Sequence, residues 1–320
     1  MKIKKIKRIG VGILSVALLG SMSFASSMGM PTTQEGGTAR AMSMGSAAVG
    51  ISQGASSLFW NPAGLGSLTH MELGLHHNSG LGESTQETLV FGGSLASFGG
   101  FAVSVNYVDN GTFEGRDSAG DLTDSYTAGN MGLSLGFGKF FLPGVSVGVV
   151  GKYNRETLAS YVYQSIAMDL GVLWTPVANL YLGLTYTNLE IKTSSALSTT
   201  GLDKVWRVGA SYEVNKTILV AVSSELKTDT GFDNVQAGAE YFIDPMVAVR
   251  AGYVHNITDY KLDGLSGMTA GIGIVIGQNM LFDYAFVPYG DLGNSHRISL
   301  TYKFLEQEVA APVKTSLKVE

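Results

Sequence analysis

Between residues 69 and 304 the chain alternates apolar and polar side chains with a period of two. In the run 101–107, Phe101, Val103, Val105 and Tyr107 share one parity, and Ala102, Ser104 and Asn106 share the other. In 297–304, Ile298, Leu300, Tyr302 and Phe304 alternate with Arg297, Ser299, Thr301 and Lys303. Successive side chains of a strand point to opposite faces, so such runs predict strands with one apolar and one polar face. Fourteen segments of this kind are expected, at 69–78, 86–96, 100–109, 125–138, 144–154, 162–174, 179–189, 204–213, 216–226, 234–242, 246–255, 267–276, 279–287 and 295–304. None carries an interior proline. Pro143, Pro176 and Pro245 fall in short connections, where a missing N–H does no harm.

The connections alternate in length. Short ones at 97–99, 139–143, 175–178, 214–215, 243–245 and 277–278 are separated by longer ones such as 110–124, 190–203, 227–233, 256–266 and 288–294. The longer loops are rich in Gly, Asp, Ser and Thr. Short–long alternation sends every second hairpin end to the same side, as in a transmembrane antiparallel β-barrel with tight periplasmic turns and longer outside loops. An even strand count puts both chain ends on the periplasmic side.

Composition separates this reading from its rivals. A soluble sandwich needs a charged solvent face, yet only 15% of the residues are charged, against a usual ~25%. The polar parity is mostly Gly, Ala, Ser, Thr and Asn. A solenoid needs a fixed short repeat, and none is present. In lipid the outward face must be apolar and every backbone group paired, which closing the sheet achieves. Tyr107, Tyr153, Trp174, Tyr186, Trp206, Tyr253 and Phe304 sit near strand ends, where interfacial aromatic girdles belong. Ionisable residues within strands fall mainly on the polar parity: Glu72, Lys152, Asp169, Arg207, Glu213, Asp283, Arg297 and Lys303. Asp169, Arg207, Asp283 and Arg297 are therefore expected to face the lumen, with Asp283 and Arg297 close enough in register to pair.

Residues 1–25 read as a secretion signal. Lys2, Lys4, Lys5, Lys7 and Arg8 precede an apolar run at 9–19, and Ser23-Phe24-Ala25 supplies a small-x-small cleavage site. An uncleaved membrane helix is the alternative, but eleven residues at ~1.5 Å each reach about half of a ~30 Å bilayer core. Cleavage after Ala25 takes five of the 21 cations and leaves 16 Lys and Arg against 26 Asp and Glu, a formal charge of −10. Such a chain is a poor nucleic-acid binder. The expected locale is the bacterial outer membrane, with outer-membrane lipid and the barrel-assembly machinery as partners.

A fourteen-stranded barrel has a lumen too wide for wall side chains alone to fill. Residues 26–68 are the candidate hatch or plug, rich in Gly, Ala and Ser that let the backbone pack closely. Its end, Ser56-Ser57-Leu58-Phe59-Trp60-Asn61-Pro62-Ala63-Gly64-Leu65, reads as a short helix, a break and a tight turn. Asn61 precedes proline and is pushed out of the helical region, and Gly64 is free to take positive φ. Trp60, Asn61, Pro62 and Gly64 are the residues expected to shape the hatch. A periplasmic lead-in that never enters the lumen is the other reading of 26–68.

The stretch from Gly37-Thr38-Ala39-Arg40-Ala41-Met42-Ser43-Met44-Gly45 to Trp60-Asn61-Pro62-Ala63-Gly64-Leu65 resembles the N-terminal signature of the FadL-like outer-membrane transport superfamily. The terminal hairpin 282–300 resembles that of its PorV/PorQ branch. The resemblance implies a fourteen-stranded barrel with an N-terminal hatch, through which a hydrophobic compound passes. For the PorV/PorQ branch it implies instead a component of type IX secretion or surface attachment, with a secreted protein as partner. The loops are shorter than those that capture ligand in fatty-acid transporters of this superfamily. Phe304 would be a normal terminal aromatic for barrel assembly, yet residues 305–320 follow as a polar periplasmic tail.

Enzymatic chemistry is not indicated. Cysteine is absent, which excludes disulfides, thiolate metal sites and cysteine nucleophiles. The five histidines form no metal-ligand spacing; His76 and His77 are strand neighbours and point apart. There is no P-loop or dinucleotide fingerprint. No catalytic residue, metal or cofactor is expected. Three roles remain open at this point: hatch-gated passage of a hydrophobic small molecule, an outer-membrane platform for secretion partners, and a general porin.

Overall fold

The computed structural model describes residues 37–82, 84–195, 202–228, 231–257 and 264–304. The expected signal at 1–25, residues 26–36 of the expected hatch and the expected tail at 305–320 lie outside the described residues. Each of the fourteen alternating segments is a strand: β1 (Met71–Ser79), β2 (Thr85–Ser94), β3 (Gly100–Phe113), β4 (Tyr126–Leu142), β5 (Val145–Leu158), β6 (Tyr161–Val177), β7 (Leu180–Ser195), β8 (Val205–Glu213), β9 (Ile218–Lys227), β10 (Gly231–Asp244), β11 (Val247–Asn256), β12 (Met268–Ile276), β13 (Met280–Pro288) and β14 (Asn294–Phe304). Every strand pairs antiparallel with its sequence neighbours, and β1 closes onto β14 with Leu75 opposite Leu300. No helix among the described residues is long and apolar enough to cross a membrane; strands do not need one.

The parity rule sets which face each side chain takes. Along β3, Val103, Val105 and Tyr107 are exposed on the outside, whereas Ala102 and Ser104 are buried inside. The outside is apolar around the wall: Leu135 is 62% exposed and Val222 is 54% exposed. Of the expected girdle, Tyr107, Trp174, Trp206 and Tyr253 are exposed outside. Tyr186 and Trp206 face each other across β7 and β8 with ring centroids 4.5 Å apart.

Several boundary expectations change; residues 139–142 continue β4 and 231–233 open β10. Residues 110–113 and 190–195 continue β3 and β7 rather than forming loop. Their side chains are mostly polar, but backbone pairing does not depend on side-chain polarity, so the wall rises above its apolar band. β5 and β6 are joined at the long-loop end by Ala159 and Ser160, with Ala159 at φ 53°; the short–long alternation is therefore not strict. Pro176 lies inside β6, where the register shifts between Trp174 and Val177, so its missing N–H falls at an irregularity.

The chain before β1 lies inside the barrel. Two short helices, α1 (Ala39–Ser43) and α2 (Ser57–Trp60), are followed by a 3-10 turn at Pro62–Ser67. The interior holds an apolar core between this inner segment and the wall. Ala41, Met42, Ala48 and Trp60 pack with Ala285 and Val287, while Leu58, Leu65 and Leu68 pack with Val90, Ala102 and Val150. The high glycine content has its structural reason here. At Gly148, Gly183, Gly238 and Gly252 an added Cβ would collide with the backbone of the inner segment. The wall is bare where the segment rests against it.

Candidate functional site

The inner segment is fixed to the wall along its length. Asn61, fully buried, donates from Nδ2 to the carbonyls of Val49 (2.9 Å) and Val172 (3.0 Å), and its Oδ1 accepts from the Ala63 N–H (3.1 Å). One side chain thus ties the segment to itself and to β6. Asn61 has extended φ −150°, as its place before Pro62 requires, and Pro62 opens the 3-10 turn. Ser146 on β5 donates to the Ala63 carbonyl at 2.6 Å, and Ser211 on β8 donates to the Gly50 carbonyl at 2.8 Å. On the opposite wall, Thr269 donates to the Ser43 carbonyl (3.0 Å) and accepts from the Gly45 N–H (2.9 Å). Ser299 accepts from the Ala39 N–H at 2.8 Å.

A charged chain crosses from α1 into the wall. Arg40 forks onto Glu240, with Nε to Oε2 at 2.9 Å and Nη2 to Oε1 at 2.7 Å. Arg250 donates to the same Glu240 Oε2 at 2.6 Å and, through Nη1, to Asp283 at 2.7 Å. Two cations meet two carboxylates, so the charges of this buried set cancel. Breaking a buried pair on one side costs about 3–5 kcal/mol, because a charge is left uncompensated. Arg40 is the inner segment's ionic anchor.

Helix α1 separates two cavities. The upper one, of about 600 Å³, opens toward the long-loop end and is lined by Met42, Trp60, Gln236, Thr269, Val287 and Tyr289, among others. The lower one, of about 240 Å³, opens toward the short-turn end and is lined by Arg40, His70, Glu72, His76, Asp283 and Lys303, among others. Arg40 and Met42 stand two residues apart on α1 and belong to different chambers. Both chambers mix polar and apolar walls; the upper adds aromatic rings, and the lower brings together Arg40, His70, Glu72, His76, Asp283 and Lys303. Among the described residues no group of three or more His, Asp or Glu side chains is placed to hold a metal ion.

The residues singled out from sequence fall as follows. Trp60 floors the upper cavity with the Arg207 guanidinium 6.0 Å from its ring centroid. Gly64 lies in the 3-10 turn without positive φ; its bareness is needed because a Cβ would press on the Ser57 side chain. The left-handed glycines of the segment are instead Gly45 (φ 63°) and Gly54 (φ 62°). Asp169 is buried, pairs with Lys152 at 2.7 Å and accepts the Asn188 N–H at 2.8 Å. That bond exists because β7 bulges there, with Asn188 at φ 62° and the register shifting opposite Asp169. Arg207 is buried against Glu225 at 2.6 Å. Arg297 is buried on β14, but the ion-pair partner of Asp283 is Arg250, not Arg297. Register explains the difference: Arg297 lies opposite Ala285, and Asp283 lies opposite Ser299.

Sequence reasoning missed Arg40, Glu240 and Arg250. Glu240 shares its parity with Asn234, Gln236 and Gly238, and Arg250 shares its parity with Ala248 and Gly252, so both were identifiable as inward. Arg40 stood within a run of small residues, and nothing local marks an arginine there as a latch.

No protein-family model matches the chain. A stretch of 144 residues is 28% identical to the UPF0164 protein of Treponema pallidum (strain Nichols), covering 40% of this chain and 43% of that one. The match thus spans less than half the relative's length. Among solved structures the chain is similar to the Pseudomonas putida toluene transporter TodX, with a TM-score of 0.59 at 13% identity over 84% of this chain and 98% of that one. It is similar to the Ralstonia pickettii toluene transporter TbuX, with a TM-score of 0.53 at 13% identity over 82% and 97%. It is also similar to a Pseudomonas aeruginosa FadL homologue, with a TM-score of 0.57 at 12% identity over 87% and 100%. At these identities the likeness is one of fold. The closed fourteen-stranded antiparallel barrel is the one these FadL-like structures share.

Proposed function

We propose that this chain is an outer-membrane barrel that passes a small hydrophobic compound, with the inner segment as its hatch. The carrying observation is the pair of chambers divided by α1 inside a closed barrel whose outer face is apolar. A lipid-facing apolar surface is what a spanning barrel requires. The toluene transporters of the same fold support the substrate class. The hatch divides into two parts at Gly45 and Ser46, both at φ 63°. Residues 37–44 are the part that moves, because α1 borders both chambers, with Arg40 on the lower and Met42 on the upper. The test uses the absence of native cysteine. Ala39→Cys with Ser299→Cys, positions whose backbone N–H and Oγ lie 2.8 Å apart, should form a disulfide that stops toluene uptake into cells, with uptake restored by reductant. Unchanged uptake by the oxidised protein would remove α1 from the route.

A second reading has one observation in its favour. The terminal hairpin β13–β14 presents Leu292 at 59% exposure, and on its outer face Tyr284 and His296 are hydrogen-bonded at 2.8 Å. An ordered, exposed hairpin suits a PorV/PorQ-like component that holds a secreted protein. Pull-down of the tagged barrel from detergent extract should then return a stoichiometric partner; a barrel recovered alone counts against it.

A further inference from the structure

The short-turn end of the barrel has one side without charge. Phe98 stands 71% exposed in the turn between β2 and β3. Phe141 stands 73% exposed at the foot of β4, where the register with β5 shifts between Phe140 and Leu142. Leu95, Phe140 and Leu142 are exposed in the same two hairpins, and Val177 at the foot of β6. The two turns are neighbours, since a Cβ on Gly99 would come within 3.1 Å of Phe137 and 3.2 Å of Lys139 on β4. Neither 92–102 nor 140–151 contains a charged residue. Lys139 has a stem long enough to carry its ammonium to water. An exposed apolar patch of this kind marks an interaction surface.

The other half of the same end is built differently. Asn215, Lys216 and Thr217 join β8 to β9, and Gln278 and Asn279 help join β12 to β13. Ile243 and Met246 are exposed at the β10–β11 turn, but Asp244 stands between them, and its Oδ1 accepts the N–H groups of Met246 (2.7 Å) and Val247 (2.9 Å). That carboxylate and the Lys216 ammonium need water. The turns from β2 to β5 carry no such group.

Continuity with the wall identifies what covers the patch. Leu142 lies opposite Val145, and Val145 lies opposite Trp174 on the outer face. Phe101 and Phe137 are paired on that face directly above Phe98. The backbone of the β2–β3 turn is satisfied from within, as an apolar surrounding requires. The Leu95 N–H donates to the Gly99 carbonyl at 2.7 Å, the Ala96 N–H to Ser94 Oγ at 3.1 Å and the Phe98 N–H to the Leu95 carbonyl at 3.2 Å. At the next turn the Thr175 N–H donates to the Gly144 carbonyl at 2.7 Å. We propose that the β2–β3 and β4–β5 turns are immersed in the acyl chains of the adjoining lipid leaflet, while the turns of β8 to β13 lie in water. The barrel is then seated deeper on one side. This rests on reading the outer wall as lipid-facing and extends the lipid contact to the turns themselves.

The test again uses the absence of native cysteine. Phe98→Cys, Phe141→Cys, Leu135→Cys, Lys216→Cys and Gln278→Cys are each spin-labelled in the full barrel and reconstituted into vesicles of phosphatidylcholine and phosphatidylglycerol. Collision with oxygen, which concentrates in lipid, is compared with collision with a nickel chelate, which stays in water. At 98 and 141 oxygen should win severalfold, as it should at 135 on the wall; at 216 and 278 the nickel chelate should win. Nickel winning at 98 and 141 with oxygen winning at 135 would overturn the immersion and leave the spanning barrel standing. Nickel winning at 135 as well would overturn the lipid-facing wall and the inference with it. Labels at 98 and 141 reached by neither reagent would overturn lipid as the occupant in favour of a second copy of the chain. Oxygen winning at 216 and 278 too would overturn the one-sided seat. All five side chains are exposed and each position is read separately, so one variant that fails to fold leaves the others to decide.

Discussion

The two parts of the inner segment share a seat of wall glycines and differ in charge. Residues 47–68 rest on β2 to β8 through shape: the wall offers glycine, and the backbone of Val49, Pro62 and Ala63 comes down where side chains would otherwise stand. Neutral hydrogen bonds from Asn61, Ser146 and Ser211 complete that seat. Residues 37–46 lean on β10 to β14, with the backbone of Met44 and Gly45 over Gly238 and Gly252, and they alone add an ion pair, the Arg40 fork onto Glu240. Close packing is costly to disturb, whereas the Arg40 guanidinium borders the lower chamber and has water there as an alternative to Glu240. The ion pair is thus the part of the hold on residues 37–46 that a single charge change releases, and residues 47–68 have no counterpart to it.

The sharpest way to break that comparison is a side chain added under the packed part. A Cβ at Gly148 would meet the backbone of Pro62 and Ala63, whereas Gly151, on the same strand but the other parity, has nothing within 4 Å. Gly148→Val should therefore destabilise by more than the ~1–3 kcal/mol of an ordinary overpacking change, because backbone cannot give way as a side chain can. Gly151→Val should be neutral. The measurement is the yield of heat-modifiable folded barrel on gels. Equal yields from the two variants would show that the segment is not seated as described.

How much of this was legible in the residues follows from which interactions are local. Strand parity is a local, period-two property, and it placed all fourteen strands to within a few residues, along with the inward burial of Asp169, Arg207, Asp283 and Arg297. The break at Asn61–Pro62 was legible too, since it follows from proline chemistry within two residues. The partners of those inward groups were not. Asp283 meets Arg250 across two strands, and Arg40 meets Glu240 200 positions along the chain. Parity gives a face and says nothing of diagonal reach. Gly64 was misjudged for a related reason: its environment is the Ser57 side chain, not its own φ.

The next effect tests the charged part. Glu240→Gln keeps the shape and removes the charge shared by Arg40 and Arg250. Arg250 retains Asp283, so the loss falls on Arg40 and on the hold over α1. A cost of about 3 kcal/mol corresponds to roughly a hundredfold shift between held and released states. Single-channel recordings in planar bilayers should show frequent openings absent from the wild type, and the yield of folded barrel should stay near normal. Raised salt should add little, since buried pairs are screened far less than exposed ones. A quiet Glu240→Gln channel would show that the fork does not restrain α1.

The smallest effect separates stability from gating. Asn61→Ala removes two donated bonds and one accepted bond and strands the Val49 and Val172 carbonyls. Each loss of this kind is worth about 1 kcal/mol, somewhat more where a buried acceptor is left alone. The melting temperature of the barrel in detergent should fall. Its conductance should not rise, because the glycine seat under Pro62 and the bonds from Ser146 and Ser211 still hold residues 47–68 in place. The pairing of this variant with Glu240→Gln is what carries the argument: one should lower stability with the pore shut, the other open the pore with stability largely kept. If Asn61→Ala instead opens the pore, the packed part belongs to the moving element, and the division at Gly45 and Ser46 is in the wrong place.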